Sequence, residues 1–193
     1  MKLFITSCFC GIVHAMKDYA HIVLMGMKHT GKSTVGALLA EKLGRSFRDA
    51  DTVIAELSGL SPRALYDKGG AALMQKWETE ACRELAKTAE ALVIATGGGL
   101  SDNADAAEIL SGRSLMIWLD TPFHLLFSRI TASAERDGRL PKFLEGPNPE
   151  LLFQELFSRR SGIYATMADV VIHTGARMPP EIVNEIMDYI SNE

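Results

Sequence analysis

The residues best equipped for chemistry stand in one stretch, Gly26-Met-Lys-His-Thr-Gly31-Lys32-Ser33-Thr34. It follows G-x-x-x-x-G-K-S, a loop that cradles phosphate. Gly26 and Gly31 allow the backbone to curl until successive N–H groups point inward at an anion. The helix that opens after the loop adds its positive dipole end. Lys32 can reach terminal phosphates, and the Ser33 hydroxyl can ligate Mg²⁺. Two carboxylates follow in Asp49-Ala-Asp51. On an extended strand, residues two apart face the same side. One could then hold Mg²⁺ through water, and the other could accept a proton from a substrate hydroxyl. An isolated pair of this kind more often caps a helix, through Asp51 or Thr52. Beside a phosphate loop the site reading is preferred. Gly97-Gly98-Gly99 at a strand's carboxyl end would leave backbone N–H groups open to a ligand that approaches closely. Residues 131–150 carry Arg136, Arg139 and Lys142 among glycines and prolines. They read as a lid able to bring an arginine over a phosphoryl group.

These residues need a scaffold, and the surrounding pattern supplies one. His21 to Met25 is a short apolar run, as a buried parallel strand should be. Val35, Leu38, Leu39 and Leu43 then repeat at helical spacing, and Gly44 can cap the end. Ser46 to Asp51 reads as a second strand. Residues 52–89 read as helical, broken at Gly59, at Ser61-Pro62 and at Gly69-Gly70, with an apolar stripe from Leu73 through Trp77, Ala81 and Leu85 to Ala89. Trp77 is expected in the core. Ala91 to Thr96 is a third strand, Asp102 to Leu110 a short helix, and Ser114 to Asp120 a fourth strand. Thr121-Pro122 starts a helix through Ile130. Leu151 to Ala165 is helical, Ala168 to His173 is a fifth strand, and Pro179 or Pro180 opens a last amphipathic helix.

The chain has 193 residues, of which 47% are apolar, enough for one α/β domain with a sizeable core. Its net charge of −4 comes with no basic stripe, so nucleic acid is not an expected partner. The three cysteines, Cys8, Cys10 and Cys82, form neither a disulfide framework nor a zinc spacing. No apolar run reaches the ~18 residues of a membrane span. Residues 1–19 admit two readings. Leu3 to Val13 followed by Val13-His14-Ala15 resembles a short signal peptide. The nearness of the first strand instead favours an extension without function, with Met16 as a natural start. The expected organisation is that extension, then a single domain over 20–193.

Taken together, about residues 20–190 resemble a shikimate kinase. The resemblance rests on Gly26 to Thr34, Phe47-x-Asp49-x-Asp51-x-x-Ile54, Gly59-x-Ser61, Gly70 with Glu78, and Gly97-Gly98-Gly99. It extends through Arg139-Leu-Pro-Lys-Phe-Leu, Arg159-Arg160-x-x-x-Tyr164 and Arg177-x-Pro179. It implies a three-layer α/β/α P-loop kinase fold with a five-stranded parallel sheet, order 2-3-1-4-5, and a lid. It also implies transfer of the ATP γ-phosphoryl group to the 3-hydroxyl of shikimate, with Mg²⁺, by a cytoplasmic monomer. The nucleotide set would be Gly26, Thr30, Gly31, Lys32, Ser33 and Thr34, with Arg129, Arg177 and Pro179 near adenine. Mg²⁺ would lie on Ser33, with Asp49 behind a water. Asp51 would bind substrate hydroxyls and act as base, and Arg139 would be the lid arginine. Gly97, Gly98 and Gly99 would meet the substrate, and Arg160 would grip its carboxylate. Such kinases usually carry a second carboxylate-binding arginine in G-E-x-x-F-R-x-x-E, where this chain has Gln75. Gln75 offers no charged fork, and Lys76 points about 100° away on the helix. The lid reads Arg-Leu-Pro where Arg-Pro-Leu is usual. The alternatives are a related kinase for another hydroxylated metabolite and a weakly active nucleotide-binding regulatory protein. Lys32, Ser33, Asp49, Asp51 and Arg139 argue against the second, because mere binding has no use for Asp51 or a lid arginine.

Overall fold

The computed structural model of the chain describes residues 19–138, 141 and 144–192. Five strands form one parallel sheet: β1 (His21–Met25), β2 (Ser46–Asp49), β3 (Leu92–Ala95), β4 (Ser114–Asp120) and β5 (Val170–His173). Their order is β2-β3-β1-β4-β5, as expected. The helices among the described residues are α1 (Lys32–Leu43), α2 (Ala50–Ser58), α3 (Pro62–Lys87), α4 (Ala104–Ser111), α5 (Phe123–Asp137), α6 (Pro149–Met167) and α7 (Pro179–Asn192).

Alternation along β1 divides the core. Ile22 and Leu24 point to one face, where Val35 and Leu39 of α1 meet Ile182, Ile186 and Ile190 of α7. Val23 and Met25 point to the other, against Ile54, Leu65, Leu85, Leu110, Phe153 and Tyr164 from α2, α3, α4 and α6. Three layers result. Each fully buried large apolar side chain contributes roughly 1.5–3 kcal/mol. Trp77 packs against the second cluster, as expected. β1 lies between β3 and β4, so the chain reverses its direction of travel across the sheet there. Ligands of open parallel sheets bind beside such a point, outside the strands' carboxyl ends.

Several boundaries differ from the expectation. β2 stops at Asp49, because the Asp49 side chain accepts from Asp51 N at 3.0 Å and caps α2. Asp51 is therefore in a helical first turn, and the two carboxylates do not share one face of a strand. The helix expected from Asp102 begins at Ala104, with Asn103 as its cap. Asp102 closes a 3₁₀ turn, Leu100–Asp102. α5 runs past Ile130 to Asp137 and ends at Gly138, whose φ of 70° is left-handed. Ala132 and Ala134 are good helix formers, so the chain has no local reason to stop earlier. Residues 131–137 are thus helix rather than lid. The long helical stretch is interrupted where expected. Ser61 caps the Pro62 start of α3, and Gly69 and Gly70 are non-helical. β5 begins at Val170 because α6 continues to Met167. Most of the expected extension lies outside the described residues. Its last residue, Tyr19, packs on the α1–α7 face of the core.

Candidate active site

The phosphate loop leaves β1 at Met25 and enters α1 at Lys32. Its curvature needs left-handed backbone, with φ of 143° at Gly26 and 94° at Gly31. A Cβ on Gly26 would stand 2.8 Å from the Leu119 carbonyl, so only glycine fits. His29 also holds a positive φ, 67°, unusual for a residue with a side chain. Thr30 is buried and braces the turn, its hydroxyl donating to Met27 O at 3.0 Å.

Lys32 lies over the loop, its ammonium donating to Gly26 O at 3.0 Å and Met27 O at 2.8 Å. Burial pushes its pKa down to about 8, with Asp51 and Asp49 working against that shift. Ser33 Oγ donates to Asp49 Oδ2 at 2.6 Å. Asp49 thus caps α2 with one oxygen and meets Ser33 with the other. This pair of hard oxygen donors, open to solvent, fits Mg²⁺, which takes few protein ligands and keeps several waters. Asp51 lies across the same cavity of about 370 Å³, which Lys32, Ser33, Asp49, Thr96 and Gly98 also line. Desolvation by its surroundings and the charge of Asp49 raise its pKa, although water still reaches the exposed side chain. An acidic group with a raised pKa is better suited to accept a proton.

The glycine turn after β3 closes the cavity. A Cβ on Gly97 would lie 3.1 Å from both Asp51 Oδ1 and Glu78 Oε1. One on Gly98 would meet Lys28 N at 2.7 Å. One on Gly99 would come within 3.8 Å of Arg160 Nη2. The turn therefore runs from the carboxylates to the arginine. The buried Tyr164 hydroxyl ties both turns together, donating to Gly98 O at 3.1 Å and lying 3.3 Å from Gly26 O. Thr30, Gly31, Thr34, Arg129, Arg177 and Pro179 border a neighbouring cavity of about 470 Å³. The Arg129 guanidinium donates to His29 O at 3.1 Å. Arg177 donates to His173 O at 3.0 Å and pairs with Glu185.

Arg139 lies outside the described residues. Gln75 does not reach into the cavity, since its Nε2 donates to the Asp102 carbonyl at 2.8 Å. Sequence reasoning missed the place of Asp102, and it marked Glu78 by position without giving it a role. Asp102 pairs with both Arg159 and Arg160. Glu78 is buried, accepts from Asn103 Nδ2 at 2.9 Å, and has its pKa raised by burial. The spacing of Glu78 from Gly70 marked its position, whereas nothing local to Asp102 announces an arginine partner 57 or 58 residues away.

A lysine-bearing phosphate loop at the carboxyl end of the central strand, in a three-layer α/β/α sheet, defines a P-loop kinase fold. The family model "Shikimate kinase" matches residues 28–191, and the chain belongs to that family. It is 31% identical over 177 residues to the shikimate kinase of Psychrobacter arcticus, covering 92% of each chain. It is 36% identical over 172 residues to that of Chromohalobacter salexigens, covering 89% of this chain and 92% of that one. The solved structure of shikimate kinase from Acinetobacter baumannii in complex with shikimate matches with a TM-score of 0.81 at 32% identity. That match covers 93% of this chain and 98% of the other.

Proposed function

We propose that this chain transfers the γ-phosphoryl group of ATP to the 3-hydroxyl of shikimate. The observation that carries the reading is one cavity lined by both Lys32 and Asp51, with the glycine turn beside it leading towards Arg160. The phosphate loop holds the nucleotide through inward N–H groups, with Arg129, Arg177 and Pro179 bordering the space for its base. Lys32 swings from the loop carbonyls to the β- and γ-phosphates and offsets charge there. Asp51 binds the acceptor hydroxyl and accepts its proton as the oxygen attacks the γ-phosphorus and the bond to the bridging oxygen breaks, releasing ADP. Gly97, Gly98 and Gly99 admit the ring close to backbone, and Arg160 takes its carboxylate. Mg²⁺, held by Ser33 and Asp49, would neutralise phosphate charge. Arg139 would supply a further cation from the lid. The protein acts as a monomer in the cytoplasm and does not use nucleic acid. Among the described residues no helix is long and apolar enough to cross a membrane.

The test is purified protein with ATP, Mg²⁺ and shikimate, the product identified by phosphorus NMR. A shikimate-dependent phosphate monoester at the 3-position is expected. ATP binding with no such product at millimolar shikimate would overturn the assignment and leave the kinase fold.

A further inference from the structure

One carboxylate of the protein already stands on the cations that an acidic acceptor needs. Arg160 gives Nε at 3.1 Å and Nη2 at 2.6 Å to Asp102 Oδ2, and Nη1 at 2.8 Å to the Gly98 carbonyl. Arg159 gives Nη1 to Asp102 Oδ1 at 2.7 Å. The Arg160 side chain is 14% exposed and that of Arg159 53%, so water screens the Arg160 contact less. Gln75 holds Asp102 from behind through its backbone carbonyl. The next residue, Asn103, is anchored to Glu78 and to the Gln75 carbonyl. Burial alone would push the Asp102 carboxyl up, but hydrogen bonds and charge from both arginines outweigh it and hold the group below its ordinary range. It is therefore an anion throughout the neutral range.

We propose that Asp102 is a specificity-determining residue of the acceptor pocket, an internal carboxylate that competes with the acceptor's own carboxylate for Arg160. The inference rests on the reading of the acceptor as shikimate. An incoming acid finds one edge of the guanidinium holding an anion and Nη1 on a carbonyl. It must displace Asp102 or share the cation with it, and like charges at that range repel. Gln75 reinforces the arrangement, since its neutral amide fixes the Asp102 backbone and adds no positive charge. The acceptor's hydroxyl contacts must then supply a larger part of its affinity. A purely supporting Asp102, one that holds Arg160 ready for the acid, requires the opposite sign on substitution.

Steady-state kinetics of Asp102→Asn with shikimate and ATP separate the two. Competition requires the KM for shikimate to fall roughly fivefold or more, with the effect in that constant rather than in the KM for ATP. Melting curves establish that the variant is folded, and Asp102→Ser carries the same expectation if the asparagine variant is not. A wild type that turns over shikimate, with a KM that is unmoved or raised in the folded variants, overturns the competition alone. Wild type and variants that all bind ATP yet phosphorylate no shikimate overturn the acceptor assignment, and the competition with it.

Discussion

The Lys32 ammonium rests on the Gly26 and Met27 carbonyls, and burial brings its pKa to about 8. In the proposed role it would have to leave those carbonyls to reach phosphate, and it would serve there only while charged. Lys32→Ala should lower turnover by ~10² or more with the fold intact, because charge stabilisation carries much of phosphoryl transfer. In the wild type, kcat/KM for ATP should fall as pH rises through about 8, since this ratio reports the free protein's ionisations. The linkage to stability has the opposite sense. The folded lysine sheds its proton near pH 8 and the unfolded one near 10.5, so the cost of burying the charge is relieved as pH rises through that window. A flat pH profile of kcat/KM across pH 7–9 would count against Lys32 as the phosphate cation. Asp51→Asn should cut transfer by ~10²–10⁴ while nucleotide affinity stays within a few-fold. It also removes an anion that helps keep Lys32 charged, so the pH limb should move lower. Unchanged transfer per folded molecule would reduce Asp51 to a first-turn residue of α2.

Two tight turns, one after β1 and one after β3, meet through backbone rather than through side chains. A Cβ on Gly98 would sit 2.7 Å from Lys28 N and 3.2 Å from Lys28 Cα, and neither atom can rotate away. Gly98→Ala should therefore force the turn off the phosphate loop at a cost of ~1–3 kcal/mol. Transfer should fall further than stability suggests, because both sides of the cavity shift together. Melting curves with single-turnover rates check this, and an alanine variant with normal stability and rate would refute the close approach. Tyr164 on α6 belongs to the same joint. It stacks on Trp118 of β4 at 6.1 Å and bonds to the Gly98 carbonyl. Burial raises its hydroxyl to about 12, so it remains a donor at any working pH.

Because the binding surface is assembled from the ends of several strands and helices, a nucleotide should stabilise the molecule as a unit. At 100 times its dissociation constant, ATP adds ~2.7 kcal/mol to the folded state. For a chain of this size that corresponds to a rise of roughly 5–10 °C in melting temperature. The Lys32→Ala protein should show much less of it. A wild type whose melting is indifferent to millimolar ATP would argue against the nucleotide site.

The phosphate loop and the glycine turn were legible in the chain itself, because each depends on local chemistry, whereas the strand order came from the family resemblance. A G-x-x-x-x-G-K-S run has few backbone solutions, and apolar runs of four to seven residues between helical patterns make a buried parallel sheet. Gly59, Ser61-Pro62 and Gly69-Gly70 announced the breaks in the helices for the same reason. Boundaries decided by a single side chain were not legible, as where Asp49 turns back to cap α2. The run of α5 to Gly138 was present in Ala132, Ala134 and the glycine, but the charged and Gly/Pro-containing stretch beyond it reads as a lid. The acceptor end lay furthest from reach. Arg160 and Gln75 could be named from the family resemblance, but Asp102 meets them across 58 and 27 residues of chain. Ion pairs of that separation are set by how α3, α6 and the 3₁₀ turn pack, and no local pattern records that packing. The chain determined the phosphate loop through local chemistry, and the tertiary packing decided that Arg160 holds Asp102.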